Sequence, residues 1–246
     1  MKDLLAYILS DPRTVYIISQ IHSCDNYTFT HSVEVCVIAL LIGSVMGLNR
    51  NQLEILGVSA ILHDIGKALT DYRILHKPTK LKPDEYEKVK LHTKDGYEML
   101  KTRTSISFVI PHIALQHHER EDGSGYPRGL TGKRIHPFAK IIAVADVFTA
   151  MTSERIYQRP VHPSFAIQEI CSNSPVKFHR TAVDCFTKIA APYVRGDVLR
   201  LNNDQTVNVT YISRQKCLVK VVSGPNEGQV FNLYQTPELS VTQLLH

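Results

Sequence analysis

Apolar residues recur at helical spacing from the start of the chain to about residue 192, and the pattern changes to alternation after Tyr193. Asn49 followed by Gln52 has the spacing of a capping box, and Pro83 followed by Asp84 is a favourable helix start. We predict helices at 4–9, 31–46, from the cap at 49 to 66, from 83 through His92, at 113–119, at 137–151, from 163 onward and at 180–190.

The last fifty residues read as strands. Residues 206–213 alternate with period two, 217–222 and 229–233 are further strand-like runs, and the turn at 224–228 contains glycine and proline. We therefore predict a mainly α protein, with a helical domain at 1–195 and a small β-rich C-terminal subdomain at 196–246. This subdomain is either a packing cap for the last helices, which we favour, or a small recognition module.

Composition narrows the classes of protein. The chain has 246 residues, 43% of them hydrophobic and 21% charged, which is typical of a globular protein. Its net charge of +5 permits a phosphate-bearing ligand but is too small for a nucleic-acid-binding surface. The most apolar stretch, 35–48, is shorter than the roughly 20 residues of a membrane-spanning helix. We expect a core helix and no membrane insertion.

The cysteines and the N-terminus bear on the compartment. The five cysteines are scattered and form no C-x-x-C pair, which argues against a zinc ribbon and a disulfide framework. The first residues lack the basic leader, apolar run and cleavage site of a signal peptide. These features predict a cytoplasmic protein.

The chemistry of the chain is concentrated in its histidines, of which there are 12. A single helical histidine is more often a surface or core residue than a ligand. Adjacent polar pairs at or near the ends of apolar helices, such as His63-Asp64 and His117-His118, are costly to bury unless something coordinates them. Imidazole and carboxylate suit divalent Fe, Mn, Ni, Co or Zn. The candidate ligands are His31, His63, Asp64, His92, His117, His118 and Asp146.

These residues carry a family resemblance. His63-Asp64, with His31 upstream and Asp146 downstream, resembles the HD superfamily of metal-dependent phosphohydrolases. The stretch 117–127, HHEREDGSGYP, resembles the HD-GYP subfamily of bacterial cyclic-di-GMP phosphodiesterases. The match continues through HDIGK at 63–67, HKPTKL at 76–81, HTKDGYEML at 92–100 and 141–160, and covers roughly residues 20 to 190.

The resemblance implies a helical HD-GYP fold, a role in second-messenger signalling and a binuclear metal centre. His31, His63, Asp64 and Asp146 would hold one ion, and Asp64 would bridge to a second ion held by His92, His117 and His118. The ions would be Fe or Mn, with Ni, Co or Zn as alternatives. The implied reaction is hydrolysis of cyclic di-GMP to linear pGpG, and onward to GMP as the further product, by a hydroxide between the metals, with Asp64 and Lys67 as catalytic residues.

Lys67 follows His63 by four residues, so both lie on one helix face if the helix continues that far. Its ammonium would then neutralise a phosphate oxygen; a solvated helix-end cation is the alternative. Some HD-GYP proteins have a glutamate four residues before the first histidine, which supports a third metal. Tyr27 occupies this position, and a phenol is a poor ligand near neutral pH, so we predict two metals.

The predicted substrate-binding residues lie in two segments. In the glycine-rich loop, the glycines would let backbone approach the ligand, Tyr126 would stack on a base and Pro127 would fix the loop; a tight turn that covers the helices is the alternative. Glu119 and Asp122 are expected to hold this loop or the histidines. The family has Asp and a basic residue where Thr149 and Gln158 stand, which leaves substrate choice open. The full set is Lys67, Asp122, Gly123, Gly125, Tyr126, Pro127, Arg155 and Arg159.

Two other functions stay open at this point. The metals and Lys67 do not distinguish bases, so another cyclic dinucleotide such as cyclic GMP-AMP is an alternative substrate. A catalytically weak receptor for a cyclic dinucleotide is the second alternative, although such members usually lack a ligand and none is missing here. A diguanylate cyclase or sensor protein as partner, and a homodimer, are both compatible with the resemblance.

Overall fold

A computed structural model describes residues 26–103, 105–153, 161–190, 193, 195–212, 216–236 and 238–245, with only the backbone described at 26, 27 and 244. The helix predicted at 4–9 lies outside the described residues. The described helices are α1 Asn26–Val45, α2 Arg50–Leu62, α3 Tyr72–Leu75, α4 Pro83–Lys90, α5 His92–Lys101, α6 Val109–Gln116, α7 Pro137–Thr152, α8 Pro163–Ser172 and α9 Arg180–Thr187.

The core forms around α1, which packs against α2, α7 and α9. Val35, Ala39 and Ile42 of α1 are completely buried, at the three- and four-residue spacing of one helix face. By length and composition α1 could cross a membrane, since the window Thr28–Val45 has a mean hydropathy of 1.7. Its burial against α2 and α7 makes it the core helix of this domain.

The cap predicted for α2 is confirmed. The Asn49 side chain accepts from the backbone N–H of Gln52 at 3.0 Å, and the Gln52 side chain accepts from the backbone N–H of Asn49 at 2.9 Å. The predicted end at Gly66 is wrong, because α2 stops at Leu62 and a short 3-10 helix, Ile65–Leu69, follows. The backbone of Asp64, at φ −101° and ψ 9°, breaks the α-helix between them.

Other boundaries also differ from the prediction: α1 begins at Asn26 rather than at residue 31, and α9 ends at Thr187 rather than at residue 190. The helix that starts at Pro83 ends at Lys90, and His92 is the first residue of a separate helix, α5, after a break at Leu91. The helix predicted at 113–119 ends at Gln116, so His117 and His118 lie in the turn that follows it. The start of α7 at Pro137 is confirmed. The candidate ligands His92, His117 and His118 therefore lie at helix ends rather than inside a helix.

A five-stranded antiparallel sheet follows the helices, in the order β4-β3-β2-β1-β5. Its strands are β1 Val198–Leu201, β2 Thr206–Ile212, β3 Cys217–Ser223, β4 Val230–Asn232 and β5 Val241–Leu245. The three predicted strands are confirmed as β2, β3 and β4, whereas β1 and β5 were missed. The sheet has its own apolar core, which includes Leu199, Val207 and Val219, all completely buried. The boundary at 195/196 between the two units stays a prediction.

Candidate metal centre

The seven predicted ligands lie together at the centre of the helical bundle. They come from α1 (His31), from the turn after α2 (His63 and Asp64), from the start of α5 (His92), from the turn after α6 (His117 and His118) and from α7 (Asp146). Their ligand atoms form two groups in which all members lie within 4.8 Å of one another. The groups are His31, His63 and Asp146, and Asp64, His92, His117 and His118.

Asp64 stands between the two groups. Its Oδ2 lies 3.2 Å from His63 Nε2 and 3.9 Å from His31 Nε2, while its Oδ1 lies 3.2 Å from His92 Nε2 and 3.7 Å from His117 Nε2. Each carboxylate oxygen therefore faces a different set of imidazoles. This arrangement suits a carboxylate that bridges two cations.

Asp146 has a similar position on the opposite side. Its Oδ1 lies 3.1 Å from His31 Nε2, and its Oδ2 lies 3.8 Å from His118 Nδ1. Asp146 sits on α7, and α7 packs against α1, so the contact between these two helices brings His31 to Asp146. The pairing joins residues that are 115 positions apart in the sequence.

Three histidines are oriented by the backbone of their own helical turn. The Nδ1–H of His63 donates to the carbonyl of Ala60 at 2.7 Å, that of His92 to Val89 at 2.6 Å and that of His117 to Ala114 at 2.7 Å. A carbonyl can only accept, so Nδ1 carries the hydrogen in each ring. The Nε2 lone pair of each ring then points toward Asp64, which is the tautomer that a metal ligand needs.

The pKa shifts of Asp64, His117 and His118 fit a metal centre. Burial acts to raise the pKa of the Asp64 carboxyl, but His63 and Lys67 outweigh burial and hold this pKa well below the usual range. Burial acts to lower the pKa of His63, but the neighbouring Asp64 outweighs burial, so the pKa of His63 is raised. Burial lowers the pKa of His117 to about 4, and burial together with His117 lowers the pKa of His118. The carboxylate is thus ionised and both imidazoles are neutral at pH 7, as metal ligation requires.

The residues present fit a pair of divalent cations. His63 Nε2 and Asp64 Oδ1 are buried and make no hydrogen bond within the described part of the chain. His92 Nε2 and His117 Nε2 lie 3.4 Å apart, and both carry lone pairs. Such a gathering of buried acceptors is costly unless positive charge lies among them. Imidazole nitrogens and carboxylate oxygens suit first-row transition metals.

A close contact between backbones sets the position of Asp64 relative to α5. Gly66 packs so tightly on the first turn of α5 that a Cβ atom there would lie 1.9 Å from the carbonyl oxygen of His92 and 2.5 Å from the nitrogen of Gly96. Only a residue without a Cβ allows this approach. The 3-10 helix after Asp64 can therefore lie directly against α5, which carries His92 to the carboxylate.

Lys67 pairs with Asp64 rather than following His63 along a helix. Its Nζ lies 2.6 Å from Asp64 Oδ2, and a quarter of its side chain is exposed. The condition for a common helix face with His63 is not met, because α2 ends at Leu62, before both residues. The 3-10 helix nevertheless places Lys67 at the edge of the metal centre, where its ammonium lines a cavity.

Glu119 holds the glycine-rich loop, residues 121–129, in place through hydrogen bonds, as predicted. Glu119 is 2% exposed, and its carboxylate accepts from the backbone N–H groups of Arg128 at 2.9 Å and Leu130 at 2.8 Å. Asp122 accepts from the N–H and the hydroxyl of Ser124, which closes a turn inside the loop. These bonds give the loop its shape.

Not all predicted substrate-binding residues of this loop face the cavity. Asp122 is exposed, Gly123 has a φ of +82° in a turn, and neither lines the cavity. Gly125 packs on the preceding turn, where a Cβ would lie 2.3 Å from the carbonyl of His118. Tyr126 does line the cavity, and its ring stacks on His118 with centroids 4.6 Å apart. Direct contact of Asp122, Gly123, Gly125 and Pro127 with substrate stays a prediction.

The cavity beside the metal centre has a volume of about 350 Å³ and is bounded by the metal ligands on one side. The opposite wall comes from α3 and α4, which sequence reasoning did not assign to the site. Tyr86 of α4 is 48% exposed at this wall, with its ring centroid 6.4 Å from that of Tyr126. Arg120 was also missed, although it stands inside the glycine-rich motif. The apolar part of the wall is Ile74, Leu75, Leu81 and Val89.

Arg155, Arg159 and Gln158 lie outside the described residues, as does the side chain of Tyr27. The roles predicted for these residues, including the absence of a third metal, therefore stay predictions. Thr149, which stands where the family has Asp, is 1% exposed and lies on α7 one turn after Asp146.

Comparison with known proteins identifies the family. The family model described as the HD domain matches residues 18–181, which is two thirds of the chain. The chain belongs to the HD-domain family. The cyclic di-GMP phosphodiesterase PA4108 of Pseudomonas aeruginosa is 32% identical over 203 residues, covering 82% of this chain and 49% of that protein. Relatives of this kind confirm the resemblance to the HD-GYP subfamily.

Another relative of this HD-domain protein is named for a different substrate. The 3'3'-cGAMP-specific phosphodiesterase 1 of Vibrio cholerae is 42% identical over 132 residues, covering 54% of this chain and 30% of that protein. Among solved structures, the HDG"Y"P protein Bd1817 of Bdellovibrio bacteriovorus superposes with a TM-score of 0.55 at 18% identity, covering 65% of this chain and 51% of that one. The chain spans about half the length of the curated relatives that match most of it.

Proposed function

We propose that this chain is a metal-dependent phosphodiesterase that hydrolyses cyclic di-GMP to linear pGpG, GMP being the product of a second cleavage. The observation that carries the proposal is the position of Asp64, whose two oxygens face separate groups of imidazoles 3.2 Å away on either side. The names of the relatives support the substrate class. The bacterial cytoplasm is the proposed compartment, in keeping with the free cysteines Cys36, Cys171, Cys185 and Cys217.

The proposed cofactors are two divalent transition-metal ions, with Fe or Mn as the first candidates and Ni, Co or Zn as alternatives. His31, His63 and Asp146 would hold one ion, His92, His117 and His118 the other, and Asp64 both. A pair of such ions supplies a nucleophile from water at neutral pH and neutralises charge on both oxygens of an in-line displacement. A phosphodiester needs this help because its own negative charge repels an anionic nucleophile.

The side chains around the cavity orient the substrate. Lys67 lies at Asp64 Oδ2 and lines the cavity, so its ammonium is within reach of a phosphate oxygen bound beside the metal centre. Tyr126 and the apolar wall on α3 and α4 would enclose a base and exclude water from it. Stacking of Tyr126 on His118 fixes the phenol ring at the floor of this space.

Cyclic GMP-AMP is the second candidate substrate. The relative in Vibrio cholerae that is named for it is 42% identical over the matched segment. The described wall of the cavity offers mainly apolar and aromatic groups, which discriminate poorly between guanine and adenine. We therefore treat base selectivity as an outcome of the assay.

The test is metal content and turnover in one preparation. The protein is purified anaerobically, its metals are counted by mass spectrometry, and cyclic di-GMP, cyclic GMP-AMP and cyclic di-AMP are each assayed by chromatography with Mn(II) or Fe(II). We expect two ions per chain and pGpG as product. Asp64→Ala should lose both ions and about 1000-fold or more of the activity. Asp184→Asn, at a carboxylate whose side chain is 61% exposed, is the matched control and should behave as the wild type.

Two results would contradict the proposal. If the protein holds one ion per chain and turns over no cyclic dinucleotide, only its assignment to the HD-domain family remains. Tight binding of cyclic di-GMP by both the wild type and Asp64→Ala, with no hydrolysis by either, would identify a receptor instead.

A further inference from the structure

Arg120 lines the cavity two residues after His118, at the start of the glycine-rich loop. The Nη1 group of its guanidinium donates to the carbonyls of His117 at 3.2 Å and Glu119 at 3.0 Å. One face of the guanidinium covers the ring of Phe178, with Cζ 5.2 Å from the ring centroid. The side chain is thus held in a fixed position while it lines the cavity.

The guanidinium of Arg120 forms no direct ion pair with a carboxylate of the described residues. No carboxylate of the described residues lies within 4.0 Å of its guanidinium, and its Nε and Nη2 groups donate no hydrogen bond to them. A partly buried cation without a counter-ion is costly, and an anion at its free edge would offset that cost. The planar fork of an arginine suits the two oxygens of a phosphate.

Arg120 and Lys67 both line the cavity, but only Lys67 pairs with a carboxylate of the candidate metal centre. Lys67 Nζ is 2.6 Å from Asp64 Oδ2, at the carboxylate shared by the metal groups. Arg120 is more than 4.0 Å from every carboxylate oxygen of that centre and stands beside the glycine-rich loop. A cyclic dinucleotide has two phosphates on opposite sides of its ring. If one phosphate is at the metals, the other needs a separate cation.

We propose that Arg120 binds the phosphate of the cyclic dinucleotide that is not being cut, through its Nε and Nη2 groups. The inference rests on the proposed function, since it assumes a substrate with two phosphates. It makes Arg120 a substrate-binding residue that does not act on the reacting phosphorus.

The experiment compares two substrates of different size. Cyclic di-GMP has two phosphates, whereas bis(p-nitrophenyl) phosphate has one and can occupy only the metal side. In the metal-loaded protein, Arg120→Gln should raise the KM for cyclic di-GMP roughly 10- to 100-fold, with kcat within about threefold of the wild type. Arg120→Lys, which keeps the charge and loses the fork, should give an intermediate KM. Hydrolysis of bis(p-nitrophenyl) phosphate should be unchanged in both variants.

Arg128→Gln is the matched control. Arg128 belongs to the same loop, its side chain is exposed, and it does not line the cavity. Its replacement should leave both substrates unaffected. The number of ions per chain and the melting temperature are measured for each variant.

Three results would overturn the inference. If Arg120→Gln loses metal or loses turnover of both substrates equally, the residue positions His117 and His118 through their backbone and binds no phosphate. If the KM ratio between cyclic di-GMP and cyclic di-AMP changes, Arg120 contacts a base. An unchanged KM for cyclic di-GMP in Arg120→Gln refutes the inference directly. If the wild type hydrolyses bis(p-nitrophenyl) phosphate but no cyclic dinucleotide, the proposed function itself has failed, and the inference fails with it.

Discussion

The contact between Gly66 and α5 allows a quantitative prediction for Gly66→Ala. The added Cβ would lie 1.9 Å from the carbonyl oxygen of His92, whereas real Cβ contacts are essentially never shorter than 3.0 Å. The two backbones must therefore separate by at least 1.1 Å. The neighbouring atoms are backbone atoms of α5, so no flexible side chain can move aside instead.

The displacement acts directly on the metal centre. His92 is the first residue of α5, and its Nε2 lies 3.2 Å from Asp64 Oδ1. Metal–ligand distances tolerate about 0.2 Å, so a shift of more than 1 Å breaks the geometry of the site that His92 shares with His117 and His118. We expect the variant to lose the ion of this group and roughly 100-fold in turnover. Overpacking of this kind typically costs about 1–3 kcal/mol of stability.

Gly96→Ala provides the control within the same contact. Its Cβ would lie 3.4 Å from the nitrogen of Gly66 and from a methyl group of Ile65, which is close to ordinary van der Waals distance. Gly96 is inside α5, where alanine is favoured over glycine by about 1 kcal/mol. The assays are metal content by mass spectrometry, turnover and thermal denaturation. A Gly66→Ala protein that keeps two ions and turns over within about threefold of the wild type would refute the reasoning.

Two further predictions concern the loop and the scaffold. In Glu119→Gln, the amide oxygen can accept only one of the two backbone N–H bonds from Arg128 and Leu130, and the amide NH2 faces the other N–H. We expect the free energy of unfolding, measured by urea denaturation, to fall by roughly 2–4 kcal/mol and the KM to rise. Glu98→Gln, at an exposed glutamate, is its control, and equal stability of the two variants would count against the role of Glu119. Asn49→Ala removes the α2 cap and should cost about 1 kcal/mol with unchanged metal content and turnover, so a change in either would show that the cap also supports the site.

The candidate ligands could be identified from the sequence. Adjacent pairs such as His63-Asp64 and His117-His118 are local signals, and so are the cap of α2 and the start of α7 at Pro137. Helix ends were predicted less well. The histidine pairs follow apolar runs, so the pattern extended α2 and α6 into them, whereas the backbone turns before or at each pair. A turn at this point lets the side chains leave the helix and face the centre of the bundle.

Strands β1 and β5 were missed because their pairing joins segments that are far apart in the chain. β1 is four residues long, and its partner β5 lies more than forty residues further along the chain. Pairing with β2 and β5 on either side makes β1 a central strand, and no local pattern records such a partner.

The amino-acid sequence by itself determined which groups are present: seven candidate nitrogen and oxygen ligands, a lysine after His63-Asp64, and a glycine-rich loop, all in the order of the HD-GYP subfamily. Only the tertiary structure decided how they act together. Contacts between distant segments divide the two Asp64 oxygens between separate imidazole groups, and they place Arg120 and Tyr86 at one cavity. Residue type and spacing act within one element, whereas the packing of several helices sets distances between side chains that are far apart in the chain.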